Sequence, residues 1–342
     1  MRRKKIQRQI IKIFYRLGIY IDIEFFPSVE KVYHRISHKP AQKQIAELEK
    51  ICTAVSAAKD HKYYNQLLKK FIPAWDLKIE NAKFLSQGLW SGFNSYRKVE
   101  FQENQVFEKL FDSNSEVLDK LLWLEKQIFP LIKDKIKTPK ITKFYRAEVL
   151  SLAYFEFINA AAFPEKEGEK QAVEVSKYLY EFSLKTDFST LNPPSHLSDF
   201  KNYSRYKMWQ EKAKKDLKNQ HISANLIENK IAENRKILTH GDLKDLNLFK
   251  DGNTIDWDES GFFPAGLEQA FIYSRNILFY DLVKNSPFEW LSKNFKSVIP
   301  PKEWKSFRLS FAYFLFIFSY EKLNEEKYQT IKKEILTDLK IR

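Results

Sequence analysis

The chain has 342 residues, of which 44% are hydrophobic and 15% aromatic, with only 8 glycines and 12 prolines. This length and composition support a folded protein of more than one lobe and exclude a disordered or linker-rich chain. The single cysteine, Cys52, excludes an internal disulfide, and the net charge of +14 favours anionic partners such as nucleotides, phosphorylated glycans or acidic lipids. A general lysine bias is the alternative source of that charge. No recognised nucleic-acid motif accompanies it, so we expect no nucleic-acid partner.

The chain opens with a basic amphipathic pattern. The first sixteen residues carry seven basic and no acidic side chains, and apolar residues recur among them at helical spacing. This pattern predicts a helix that either attaches to an anionic membrane surface or docks on the protein's own folded domain. Helices are also predicted over 41–58 and 63–71, which makes residues 1–83 a helical extension.

From residue 84 the pattern predicts strand, small-residue loop and strand, the second strand alternating over 95–101. Glycines in this loop would let backbone N–H groups approach phosphates, and its candidate contacts are Ser91, Gly92 and Asn94. An ordinary hairpin is the alternative. A third short strand over 106–110 contains Lys109, which is either a functional cation or a surface residue at a strand edge.

Helices and one further strand follow. Residues 112–115 can cap a helix beginning near Glu116, and residues 148–158 form an apolar strand. Helices are predicted over 171–185 and 207–234, with a loop rich in Ser, Asn and Pro at 189–201 that either frames a substrate pocket or simply connects them. The most apolar stretch, 309–320, falls short of the roughly twenty residues that span a membrane, so a buried helix is predicted there. We expect no signal peptide.

The most specific pattern is HGDLKDLN at 240–247, followed by IDWD at 255–258. An H-x-D-L-x-x-x-N string with a later Asp is typical of phosphoryl-transfer enzymes, in which the first Asp is the base and the Asn and second Asp bind magnesium. Asp251-Gly252 predicts a two-residue hairpin turn that sets Asn247 opposite Asp256. Opposed side chains lie about 5 Å apart, so this pair could share Mg²⁺. A surface hairpin with polar ends is the alternative.

With these residues the chain resembles the aminoglycoside phosphotransferase and choline kinase-like family, a branch of the protein-kinase-like fold. The resemblance rests on residues 238–243, Asn247, residues 255–258, and Pro264 with Glu268 and Ala270 after it. Many family members have Asp where Glu268 stands, and their hairpin is commonly longer. The resemblance implies a two-lobed α+β fold, with a small β-rich lobe over 84–159 and a mostly helical lobe over 160–342.

The resemblance also implies a set of site residues. Asp242 would be the catalytic base, and Asn247 and Asp256 would hold Mg²⁺. Lys109 would steady the α- and β-phosphates of ATP, or of GTP as the alternative. Its carboxylate partner would be Glu116, with Glu125 as the competitor, and Phe155 and Phe157 would lie at the hinge that meets adenine. His240 is expected to support the loop, and Asp245 and Asp258 are candidates either for contacts to the acceptor or for holding the site residues in place.

The predicted function is an ATP-dependent transfer of the γ-phosphoryl group to a hydroxyl of a small molecule or glycan. The motif does not encode the acceptor, because loops outside it shape that pocket; the basic start favours a membrane-proximal glycan or lipid-linked substrate. The alternatives are a non-catalytic nucleotide-binding scaffold, which the intact motif opposes, and a kinase of a protein substrate, which the missing A-P-E-like segment opposes. A cytoplasmic location is expected, with the inner face of the membrane as the alternative.

Overall fold

A computed structural model describes residues 27–85, 96–113 and 116–340. They divide into two compact units. The first comprises the described residues up to Leu118 together with Lys140–Phe157, and the second comprises Asp119–Pro139 and the residues from Ile158 onward. The prediction of a mixed α+β protein is confirmed. The three-part division at residues 83 and 159 stays a prediction.

Three helices open the first unit: α1 (Val29–Ser37), α2 (Ala41–Ala58) and α3 (His61–Phe71). Local capping sets two of these starts. The Asp60 carboxylate accepts the Tyr63 backbone N–H at 2.9 Å, and the Ser28 hydroxyl accepts that of Lys31 at 3.4 Å. The predicted helix over 41–58 is confirmed, and the one predicted over 63–71 begins two residues earlier than expected.

A five-stranded antiparallel sheet follows, in the order β1-β2-β3-β5-β4. The strands are β1 (Asn81–Phe84), β2 (Tyr96–Phe101), β3 (Asn104–Asp112), β4 (Ile141–Arg146) and β5 (Leu150–Glu156). The strands predicted near 95–101, 106–110 and 148–158 are confirmed. The sheet begins at Asn81, before the predicted start at residue 84.

The sheet register separates two faces, because side chains directly opposite each other on paired strands point the same way. One row joins Tyr96, Lys109 and Ala153, and the adjacent row joins Arg97, Glu108 and Tyr154. The second row belongs to the face that forms one hydrophobic core with α1, α2 and α3. Lys109 therefore lies on the face turned away from these helices.

A buried polar network ties α3 to the sheet. The Arg97 guanidinium donates to both oxygens of Glu108, at 2.6 and 2.8 Å, and both side chains are fully buried. Its Nη1 donates to Asn65 on α3 at 2.8 Å, and the Tyr154 hydroxyl donates to Glu108 at 2.8 Å. Because each charge has its partner, this pair can be buried without the full cost of desolvation.

The second unit is mostly helical. It contains most of α4 (Val117–Gln127), α5 (Phe129–Ile132), α6 (Glu165–Lys185), α7 (Ser204–Asn219), α8 (Ala224–Ala232), α9 (Leu267–Ile272) with a π-helical continuation over Tyr273–Leu278, α10 (Pro287–Phe295), α11 (Trp304–Phe318), α12 (Tyr320–Leu323) and α13 (Gln329–Leu339). The single helix predicted over 207–234 is wrong. It is two helices, because His221 takes a left-handed conformation (φ 59°) and Ser223 caps a new start. The buried helix predicted around 309–320 is α11.

No helix in the described part of the chain has both the length and the apolar character needed to cross a membrane. A two-stranded ribbon, β6 (Lys236–Thr239) with β7 (Gly261–Pro264), stands among the helices. Thr239 at the end of β6 pairs with Gly261 at the start of β7, so the pairing of these two strands fixes both ends of the segment 240–260. That segment carries the HGDLKDLN and IDWD strings.

Candidate active site

Gly241 makes the first turn of the segment 240–260. Its φ is +83°, and a Cβ added there would lie 2.3 Å from the backbone oxygen of Glu259. Only glycine fits both the conformation and the space. The Gly241 N–H donates to a Glu268 carboxylate oxygen at 2.8 Å, and the Tyr203 hydroxyl donates to the Gly241 carbonyl. Hydrogen bonds with Glu268 on α9 and with Tyr203, the residue before α7, therefore fix the turn.

Glu268 is a fully buried carboxyl on α9. Its Oε1 accepts the Gly241 N–H, and its Oε2 has no hydrogen-bond partner among the described residues. Burial raises the pKa of Glu268 to about 8, although the backbone N–H groups of Gly241 and His240 act in the opposite direction. Glu268 is therefore protonated at neutral pH and braces the loop without adding a charge.

His240 is also fully buried, and it spans the loop. Its Nε2 donates to the Ile255 carbonyl at 2.9 Å, and its Nδ1 accepts the Asp242 N–H at 3.2 Å. Its ring lies 4.5 Å from that of Trp257. Burial lowers the pKa of His240 to about 4, so the ring is neutral. Both ring nitrogens make hydrogen bonds to backbone groups. This geometry agrees with the expected supporting role.

Asp242 is 2% exposed and is held by several donors. Its Oδ2 accepts from Lys244 Nζ at 2.5 Å and from Asn247 Nδ2 at 3.0 Å, and its backbone oxygen accepts the same Asn247 amide at 2.9 Å. Its Oδ1 has one long contact, to Arg205 Nη2 at 3.5 Å. Oδ2 thus has two hydrogen-bond donors, whereas the contact of Oδ1 with the described residues is this long one.

Asn247 ends a short 3₁₀ turn, Asp245–Asn247. Asp245 anchors this turn through the Tyr280 hydroxyl at 3.2 Å, and Asn247 Nδ2 is committed to Asp242. That orientation leaves Asn247 Oδ1 as the amide atom available for a cation. Amide and carboxylate oxygens are suitable ligands for Mg²⁺.

The hairpin that follows has a different register from the predicted one. Leu248 pairs with Thr254, and the Ile255 N–H donates to the Asn247 backbone carbonyl at 3.0 Å, so Asn247 lies opposite Ile255. The prediction that Asn247 directly opposes Asp256 is therefore wrong by one residue. The cause is a three-residue turn ending in left-handed Gly252 (φ +88°), which adds one residue to the loop.

Asp256 follows the hairpin and has an unusual backbone conformation. It adopts a left-handed conformation (φ 64°, ψ 55°), which ends the hairpin strand and starts the 3₁₀ turn Trp257–Glu259. Non-glycine residues rarely take this conformation, which is often found at functional sites. The Lys120 ammonium fixes the chain just beyond, donating to the carbonyls of Asp258 and Ser260. The role of Asp256 as a metal ligand stays a prediction.

Within the described ranges, no three or more His, Cys, Asp or Glu side chains are arranged as a metal site. The predicted magnesium site is of another kind. It needs one amide oxygen and one carboxylate, and substrate phosphates and water supply its other ligands. The donor types of Asn247 and Asp256 fit such a site.

Lys109 and Phe155 lie on the same face of the sheet, and Phe157 directly follows β5. Lys109 is 6% exposed, and its Nζ lies 5.4 Å from the ring centre of Tyr96. Phe155 on β5 is half-buried, and Phe157 lies under the Lys98 ammonium, 4.3 Å from its ring centre. Their proposed contacts to phosphate and adenine stay predictions.

Other predicted residues are placed less specifically. Glu116 is exposed just ahead of α4, and Glu125 is half-buried on that helix; which of them pairs with Lys109 stays a prediction. The loop residues Ser91, Gly92 and Asn94 and the basic N-terminal helix lie outside the described residues.

Three of the residues that the sequence analysis missed contact Gly241 or Asp242: Tyr203, Arg205 and Lys244. Lys244 lies within the string, so its proximity to Asp242 could have been noticed. Arg205 and Tyr203 lie almost forty positions upstream, and no local pattern marks them. Only the packing of α7 against the loop brings them to the site.

No protein-family model and no curated protein matches the chain. Solved structures that resemble it include a spectinomycin phosphotransferase in complex with ADP and spectinomycin, at 15% identity over 82% of this chain and 93% of that one, with a TM-score of 0.43. A Plasmodium vivax ethanolamine kinase matches at 14% identity over 94% and 96%, with a TM-score of 0.42. A choline kinase from Streptococcus pneumoniae matches at 14% identity over 81% and 98%, with a TM-score of 0.39. These are enzymes of the kinds that the motif resembles. Because the TM-scores are below 0.5, the function proposed below rests on this chain's own residues.

Proposed function

We propose that this protein is an ATP-dependent phosphotransferase that moves the γ-phosphoryl group to a hydroxyl of a small-molecule or glycan acceptor. The observation that carries the proposal is the joining of Asp242 and Asn247 in one braced loop. A single amide, Asn247 Nδ2, donates to both the backbone and the carboxylate of Asp242. These two hydrogen bonds hold Asp242, the proposed base, and Asn247, the proposed metal ligand, in fixed relation.

The chemistry would centre on Asp242 Oδ1. This oxygen accepts the proton of the acceptor hydroxyl as the hydroxyl oxygen bonds to the γ-phosphorus and the bond to the leaving ADP breaks. Lys244 and Asn247 orient Asp242 by donating hydrogen bonds to its other oxygen, Oδ2. Mg²⁺, held by Asn247 and Asp256, would supply charge neutralisation to the phosphates. Lys109 is the cation that the family resemblance implies for the α- and β-phosphates.

The base assignment is tested with Asp242→Asn, which keeps the shape and removes the carboxylate. Turnover of γ-labelled ATP should fall by roughly 10²–10⁴-fold, the usual contribution of a general base. Nucleotide binding, followed as the shift in Tm on adding Mg-ATP, should largely remain. A matched control is Asp251→Asn at the exposed tip of the same hairpin, which should keep wild-type turnover. A near-normal rate in Asp242→Asn would contradict the proposal.

The metal assignment is tested with Asp256→Ala. The Mg²⁺-dependent part of the Tm shift by ATP should disappear while the unliganded protein stays folded. An unchanged Mg²⁺ dependence would exclude Asp256 as a ligand. A wild type that binds Mg-ATP but transfers phosphate to neither an acceptor nor water would instead favour the non-catalytic scaffold.

A further inference from the structure

Two arginines in the described part of the chain bind a carboxylate through one edge of the guanidinium, formed by Nε and Nη2. Arg97 places these two atoms 2.6 and 2.8 Å from the two oxygens of Glu108. Arg308 places them 2.7 and 2.6 Å from those of Asp338. This paired geometry is the preferred one for carboxylates and phosphates.

Arg205 presents the same edge beside the proposed base, but the edge is not filled. Its Nε is buried and has no hydrogen-bond partner among the described residues. Within the described ranges, its Nη2 contacts only Asp242 Oδ1, at 3.5 Å, which is too long for a strong hydrogen bond. The Arg205 side chain remains 34% exposed, so a small rotation can turn the edge towards a ligand. A buried N–H without an acceptor costs free energy, and a bound oxyanion would recover it.

The local fold fixes where this edge stands. Arg205 is the second residue of α7, and the helix start is held by Glu259, which accepts from the backbone N–H of Ser204 at 3.3 Å and from its hydroxyl. Glu259 is thus engaged by the helix terminus. Lys244 is the other cation at Asp242, and it is already paired with Oδ2. Arg205 is therefore a cation with an unfilled guanidinium edge beside Oδ1.

We propose that the Nε and Nη2 edge of Arg205 binds a carboxylate or phosphate group of the acceptor, next to the hydroxyl that Asp242 activates. The inference rests on the proposed phosphotransferase function and names its acceptor class: hydroxylated compounds that carry an oxyanion. Acceptors with an amine at that position are disfavoured, because a second cation would meet the guanidinium without a counter-charge.

The test compares acceptors that carry an anionic, neutral or cationic group at the same carbon. One set is glucuronic acid, glucose and 6-amino-6-deoxyglucose, and the other is glycerol 3-phosphate, glycerol and 3-amino-1,2-propanediol. Transfer from γ-labelled ATP gives kcat and KM for each. The wild type should prefer the anionic member by roughly 10- to 100-fold in kcat/KM, the scale of a charged hydrogen bond.

Variants assign this preference to Arg205. Arg205→Gln should bring anionic and neutral acceptors to near parity, mainly through KM, and Arg205→Lys should restore part of the preference. Arg205→Glu should shift it towards the amine. Lys207→Gln, at an exposed position on the same helix, should keep the wild-type preference. Thermal unfolding shows that each variant is folded.

Three results overturn the inference while leaving the phosphotransferase proposal standing. They are a wild-type preference for neutral or amine acceptors, a preference that survives Arg205→Gln, and Asp242-dependent ATP hydrolysis that no compound of any class stimulates. Absence of both transfer and ATP hydrolysis in the wild type would refute the phosphotransferase proposal itself, and this inference with it.

Discussion

The protonation of Glu268 leads to a measurable dependence of stability on pH. Burial raises the pKa of this carboxyl from its ordinary value of 4.5 to about 8 in the folded protein. Below pH 4.5 the group is protonated whether the chain is folded or unfolded, so it contributes nothing. Between these two pKa values the unfolded chain releases the proton and the folded one retains it, so stability falls as pH rises. Each pH unit costs about 1.4 kcal/mol, which gives a loss of about 5 kcal/mol above pH 8.

Glu268→Gln removes this dependence. The glutamine amide oxygen can still accept the Gly241 N–H, and a neutral side chain cannot ionise. We therefore expect the variant and the wild type to have similar free energies of unfolding near pH 5. The variant should become more stable than the wild type by about 5 kcal/mol at pH 8 and above. Other titrating groups, including His240, contribute to both proteins and cancel in the difference.

Urea unfolding of both proteins at half-unit steps from pH 5 to pH 9 measures that difference. The matched control is Glu326→Gln, which makes the same change at an exposed position and should give a difference that does not vary with pH. A difference between Glu268→Gln and wild type that is constant from pH 5 to 9, or that falls as pH rises, would refute the reasoning. Either result would mean that Glu268 is ionised in the folded protein.

Three further predictions concern other parts of the chain. Gly241→Ala should lower the free energy of unfolding by more than about 3 kcal/mol, because strain and a backbone clash add, whereas Gly252→Ala should cost about 1–2 kcal/mol, because its added Cβ would make only an ordinary contact with Lys137 Cδ at 4.0 Å; equal losses would contradict this. Arg97→Leu should cost about 3–5 kcal/mol, because Glu108 is left buried without its partner, and adding Glu108→Leu should recover much of that loss; a double variant less stable than the single one would contradict this. Deleting residues 1–17 should abolish salt-sensitive binding to acidic lipid vesicles in co-sedimentation and leave transfer to soluble acceptors unchanged. If the full chain fails to bind acidic vesicles at low salt, the membrane proposal falls and docking on the folded domain is favoured.

Local patterns predicted most of the secondary structure because their causes are local. The repeat of apolar residues in 41–58 has helical period, and the alternation in 95–101 has strand period, and both segments fold accordingly. The helix predicted over 207–234 fails at His221 because apolar periodicity continues across the break. Asp251-Gly252 correctly marked a turn, but the same dipeptide serves two- and three-residue loops, and the tertiary setting selected the longer one.

The sequence by itself determined the chemistry of the candidate site, because Asp242, Asn247 and their spacing are written in one contiguous string. The tertiary structure alone decided which groups surround Asp242. Arg205 arrives on a distant helix, and Glu268 becomes a neutral brace through burial, which no local pattern encodes. The physical reason is the sequence separation of the interacting residues. Turns and helices depend on residues that are close along the chain. Charge state and hydrogen-bond partners depend instead on residues that only folding brings within a few ångströms.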